Sequence, residues 1–185
     1  VRKANVVADG AATKFTDVPA RSTWQLTPDA AYFHYCANET IGGVEFHEPP
    51  QVGSVPLVTD MSSTILSRPI DVNRFGLIYA GAQKNIGPSG VTCVLVRKDL
   101  VEAGRTDIPK IFRYKTQADA NSLANTAPTF SIYLMRNVLQ WVKDSGGLEQ
   151  CVGLGNDVVG VRAVRRCRGE DGLALEVLGL LRQRS

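Results

Sequence analysis

Four short apolar runs, at residues 31–36, 55–60, 76–81 and 91–96, stand between polar segments carrying Gly, Pro and Asn. Runs this short suit strands better than buried helices, and their continuity argues against strands with one wet face. They predict a sheet buried on both sides, as in α/β proteins. Residues 4–8 read as a further short buried strand, and residues 9–23 as a loop. Thr27, Pro28 and Asp29 open a turn or short helix, and residues 38–43 form a polar turn after the first long run. The clearest helix covers residues 129–143: Pro128 stands at its start, Ile132, Tyr133, Val138, Leu139 and Val142 fall mostly on one face, and Ser145, Gly146 and Gly147 stop it.

The chain has 185 residues, enough for one domain with a real core. Its 44% apolar and 21% charged residues are near the globular average. A net charge of +3 does not point to nucleic acid or a membrane surface. Residues 161–185 hold six Arg against three acidic residues, so most of the excess is local. No apolar run is long enough for a transmembrane helix. The four cysteines, Cys36, Cys93, Cys151 and Cys167, form no CxxC pair and match no zinc spacing, so no metal site is expected. Cys36 and Cys93 lie in apolar runs and read as buried free thiols, in keeping with a reducing compartment.

The segment from Ala80 to Gly90 carries the chemistry. Lys84 follows an apolar strand and precedes Gly87, Pro88 and Gly90, which let the backbone turn before the next strand. That places one amine at a sheet edge, where α/β folds bind ligands. A lysine becomes a nucleophile when burial or a nearby cation lowers its pKa. The ordinary reading of Lys84 is a solvated loop lysine. Asp60 ends a second strand, where its carboxylate can meet a pyridinium nitrogen or cap the next turn. Thr40 lies beyond a third strand, where its hydroxyl can hold a ring oxygen or cap a turn. Together the three make a floor for a cofactor.

Residues 34–41, 60–71, 79–90 and 125–130 resemble phosphoserine aminotransferases of the class V family, and the likeness runs from about residue 4 to about residue 150. Gln83 before the lysine separates the chain from cysteine desulfurases, which usually have His there. The resemblance implies part of the large domain of a fold-type I, pyridoxal-phosphate-dependent transferase: an α/β fold with a mixed, mostly parallel sheet flanked by helices. It implies Lys84 as the Schiff-base lysine and the acid–base group, Asp60 on the pyridine nitrogen and Thr40 on the ring hydroxyl. Gln83 would contact the cofactor near its phosphate. Asn125 and Thr126 would reach across a homodimer to the phosphate of the other subunit; the ordinary reading is a helix-entry cap. The implied reaction is amino transfer among phosphoserine, 2-oxoglutarate, 3-phosphohydroxypyruvate and glutamate, in serine biosynthesis and in some organisms vitamin B6 synthesis. The family is cytoplasmic in bacteria and plastidial in plants.

Against that family the chain reads as the middle of a longer protein, starting at Val1, with the N-terminal part and the small C-terminal domain missing. The resemblance divides it into a partial cofactor-binding domain, 1–150, and a divergent Arg-rich tail, 151–185, non-native or disordered. Within that tail residues 173–181 suit an amphipathic or buried helix. Two alternatives stay open: an inactive fragment, and another class V enzyme such as a serine–glyoxylate aminotransferase.

Overall fold

A computed structural model of the chain describes residues 4–148 and the backbone of one further strand, Leu173–Leu178. Three of the four apolar runs are strands at nearly the expected places: β4 (Leu57–Asp60), β5 (Leu77–Gly81) and β6 (Thr92–Arg97). The first shortens to β1 (Phe33–Cys36), and the polar turn after it is a small hairpin of β2 (Asn38–Glu39) and β3 (Val44–Glu45). The main sheet has the order β1-β4-β5-β6-β7, where β7 is Leu173–Leu178. Strands β1, β4 and β5 run parallel, and β6 is antiparallel to both β5 and β7. The expected mixed sheet, with most strands pointing one way, is the one found.

Strand register sorts the side chains onto two faces, because laterally paired residues point the same way. Tyr35 pairs Thr59, Thr59 pairs Ile78, and Ile78 pairs Leu95. Tyr35, Ile78 and Leu95 belong to the main core, with Thr59 fully buried among them, and α3 (Thr129–Asp144) closes that core with Met135 and Val142. Helix α3 forms where expected. The opposite face carries a smaller core of Leu77, Val94, Val96 and Val101, with Leu100 and Ala118 packed against it. Those last residues come from two short helices, α1 (Lys98–Glu102) and α2 (Tyr114–Asp119).

Three expectations fail. Residues 4–8 form no strand: Val6 is 75% exposed, and Gln25 N donates to Val7 O without a ladder building on it. Asn5 instead ties the segment to Gln25 O and Thr27 Oγ1, so its polar side chain, not a sheet edge, fixes the path. Residues 173–178 are a strand rather than part of a helix. The outer edge of β6 offers a row of backbone groups, and the backbone of this six-residue run pairs with it in antiparallel register. Cys36 is exposed while Cys93 is buried, because Cys36 ends β1 on the less covered face. The 150/151 division and most of the Arg-rich tail lie outside the described residues. Among the described residues no helix is long and apolar enough to cross a membrane.

Candidate functional site

The loop that carries Lys84 joins β5 to its antiparallel neighbour β6. Ala82, Ile86 and Val91 anchor it, being 0%, 2% and 2% exposed. Ala82 N donates to Val91 O at 2.9 Å, and Gly87 N to Ala82 O at 2.9 Å. Between these fixed points the loop must turn tightly. Gly90 adopts φ +103°, and a Cβ on Gly87 would approach the Met135 backbone of α3 to 3.3 Å. The loop is therefore pinned at its base and open at its tip. Lys84 stands exposed at that tip.

Lys84 Nζ donates to Thr40 Oγ1 at 2.6 Å, across a sequence separation of 44 residues. Thr40 sits at the start of the turn between β2 and β3. Asp60 ends β4 beside Cys36 on one side and Tyr79 on the other. Its Oδ1 accepts from Ser62 N at 2.8 Å and from Ser62 Oγ at 2.6 Å. The turn-capping reading of Asp60 is thus real, and it leaves Oδ2 outside that cap. Cys36 links the two halves of the site. Crowding by its neighbours and then the Asp60 carboxylate push its thiol above the ordinary value, while Lys84 pulls it down. The Cys36 thiol, at the end of β1 beside Asp60, thus feels both charges.

Other groups brace this arrangement. Ser62 Oγ accepts from Gly81 N at 2.9 Å, and Asn85 Nδ2 donates to Ile65 O, so the loops after β4 and β5 hold each other. Asn38 Nδ2 donates to Ser63 Oγ at 3.0 Å and ties the hairpin to the same loop. On the site's face of the sheet, His34 Nε2 lies 3.0 Å from Tyr79 Oη, with the two rings stacked. Burial and then the Asp60 charge push the Tyr79 phenol up to about 12, with Asp60 also acting as acceptor for its proton. Ser62, His34 and Tyr79 were not legible in the sequence. Only the pairing of Asp60 with Tyr79 across the sheet reveals the last of these.

The remaining expected residues lie as follows. The Gln83 amide folds back over Gly81, where a Cβ would meet Gln83 Oε1 at 2.5 Å. Asn125 and Thr126 lie between α2 and α3. Asn125 Oδ1 accepts from Gln117 Nε2 at 3.3 Å, and Asn125 Nδ2 donates to Thr126 O at 3.1 Å. Neither residue caps α3, which begins at Thr129 after Pro128 with no side-chain cap. Among the described residues, no group of three or more His, Cys, Asp or Glu side chains has metal-binding geometry.

Residues 1–152 match the family described as aminotransferase class-V. The chain is 54% identical over 145 residues to a phosphoserine aminotransferase of Ectopseudomonas mendocina, covering 78% of this chain and 40% of that protein. It is 57% identical over 143 residues to one of Laribacter hongkongensis, covering 77% of this chain and 40% of that one. Among solved structures, phosphoserine aminotransferase from Bacillus circulans subsp. alkalophilus superposes with a TM-score of 0.75 at 51% identity, over 79% of this chain and 40% of that one. A pyridoxal-phosphate-bound phosphoserine aminotransferase from Trichomonas vaginalis superposes with a TM-score of 0.68 at 47% identity, over 72% and 37%. The chain spans about 40% of the length of the curated relatives it matches.

Proposed function

This chain belongs to the class-V aminotransferase family, and on that premise we propose that its full-length protein is a phosphoserine aminotransferase dependent on pyridoxal phosphate. The observation that supports the reading is the Lys84–Thr40 contact, together with the position of Asp60 at the end of β4, the strand next to the one that leads to Lys84. The donor set fits the cofactor's chemistry. An amine suits its aldehyde, a hydroxyl its ring oxygen, and a carboxylate its ring nitrogen. When bound, the cofactor supplies a pyridinium ring that stabilises negative charge at the substrate α-carbon.

In this proposal Asp60 Oδ2 holds the proton on the ring nitrogen, while Ser62 occupies Oδ1. Thr40 Oγ1 orients the ring hydroxyl. Lys84 Nζ removes the proton from the substrate α-carbon and returns one at the carbon that accepts the amino group. Its loop is pinned at the base, and its Nζ, exposed at the tip, reaches Thr40 Oγ1. Gln83, Asn125 and Thr126 are proposed phosphate contacts, the last two across a homodimer. The substrates are phosphoserine, 2-oxoglutarate and glutamate, and the compartment is the cytoplasm.

Borohydride reduction of the full-length protein, followed by peptide mapping, tests the reading. The expected result is one reduced pyridoxyl adduct on Lys84, with phosphoserine used as amino donor and serine refused. An adduct on a different lysine, or turnover of serine alone, overturns it.

A further inference from the structure

Three successive backbone N–H groups in the 40–43 turn converge on one residue. Ile41 N donates to Glu39 Oε1 at 3.1 Å, Gly42 N donates to Glu39 Oε2, and Gly43 N donates to Glu39 O at 2.9 Å. The carboxylate is seated closely enough that a Cβ on Gly42 would lie 3.0 Å from Oε2. Gly43 takes φ +75°, which closes the turn. Thr40, the residue between Glu39 and these donors, is the one whose hydroxyl meets Lys84. The hairpin is otherwise slight: β2 and β3 are two residues each, and Thr40 and Ile41 are exposed, Ile41 at 97%. Little packing holds the turn, so its conformation depends on its own hydrogen bonds.

We propose that Glu39 is a positioning residue, whose carboxylate locks the 40–43 turn and thereby holds the Thr40 hydroxyl where the cofactor's ring oxygen binds. This rests on the proposed cofactor site. An alternative role for Glu39 is to pair directly with Lys84. Two observations favour the turn. Among the described residues no ion pair joins Glu39 to Lys84. The Glu39 carboxyl is held below the usual carboxylate range chiefly by the N–H groups of Gly42 and Ile41, with the Lys84 charge the smallest contributor. A bidentate acceptor of backbone N–H groups is a cap, and a cap acts through the residues it orders.

The test is a double-mutant cycle on the full-length protein, read as the dissociation constant of pyridoxal phosphate from the resolved apoprotein. Thr40→Val and Glu39→Ala should each weaken binding, Glu39→Ala by about five- to thirtyfold, the range of one lost cap or turn bond. The double variant should bind no more weakly than the weaker single variant, because Glu39 acts only through Thr40. The pH at which the bound cofactor's visible absorbance shifts should move the same way in both single variants. Glu39→Gln, which keeps one oxygen for the turn, should recover part of the loss. Gly42→Ala, which crowds the same carboxylate, should weaken binding even if Glu39→Ala folds poorly. Additive losses, or Glu39→Ala and Gly42→Ala binding as tightly as wild type, overturn the proposal. Wild-type apoprotein that takes up no pyridoxal phosphate overturns the cofactor site itself, and this inference with it.

Discussion

On one face of the sheet, Tyr35, Thr59, Ile78 and Ala80 are sealed beneath α3 and the 61–75 loop. On the other, one residue along the same strands, His34, Cys36, Asp60 and Tyr79 are exposed or half-buried. Strand alternation alone separates the two sets. The sealed face carries stability, and the loop over it buries the hydroxyls of Thr64 and Ser67 without a hydrogen-bond partner. The other face has its own small core around Leu77, Val94 and Val96, and only its end at the tips of β1, β4 and β5 is open, where Asp60 and the His34–Tyr79 pair are held largely by hydrogen bonds. Chemistry on this sheet therefore costs little of the core.

The two cysteines test that division most sharply. Cys93 lies on the sealed face, where burial pushes its thiol up to about 11. Cys36 is exposed on the open face. With a thiol reagent at neutral pH, Cys93 should react at least ~10³-fold more slowly than Cys36, since it must await opening of the fold. Mass spectrometry of the alkylated peptides measures the ratio, and equal rates would dissolve the distinction between the faces. The next effect is catalytic. In the full-length protein Lys84→Ala should lower the proposed amino-transfer turnover by about 10²–10⁴-fold and leave the urea midpoint unchanged, because the side chain is exposed at a loop tip. The reverse pattern belongs to Ile78, which is 1% exposed. Ile78→Ala should destabilise the protein by about 2–5 kcal/mol, seen as a lower urea midpoint. A Lys84 variant that unfolds early, or an Ile78 variant that does not, would show that the faces share their roles.

The sheet was legible where burial on both sides writes a continuous apolar run, as at 76–81 and 91–96. Helix α3 was legible because sixteen residues hold a 3.6-residue pattern. Helices α1 and α2 were not: at five and six residues they are too short to show a period, and they form because Val101, Leu100 and Ala118 find a sheet to cover. Residues 4–8 misled because a few apolar residues in a row say nothing of whether a neighbouring strand exists to pair with. Residues 173–178 misled because short apolar runs suit a helix and an edge strand equally. Within the site, Thr40, Asp60 and Lys84 were readable as polar residues at strand ends. The Ser62 brace, the Glu39 cap and the His34–Tyr79 stack were not, because each depends on which residues the register brings side by side.

The smallest expected effect lies in that stack. Burial and the Asp60 carboxylate raise the Tyr79 phenol from 10.0 to about 12. Folding thus favours the neutral phenol. Below pH 10 both folded and unfolded chains keep the proton, and the stabilisation is fully present. Between about 10 and about 12 the unfolded chain loses the proton while the folded one keeps it, so stability falls as pH rises. Tyr35 and Tyr114 are also raised by burial and add their own decline, so the Tyr79 share is read by difference. Tyr79→Phe should flatten the alkaline fall in urea midpoint across that window and leave the midpoint at neutral pH nearly unchanged. Asp60→Asn should move the onset of the remaining Tyr79 titration to lower pH, because the carboxylate's charge is the second cause of the shift. If tyrosinate absorbance in Asp60→Asn rises at the same pH as in wild type, the phenol is held up by burial alone. The open face would then be two separate groups, a carboxylate and a stacked pair, rather than one charged row.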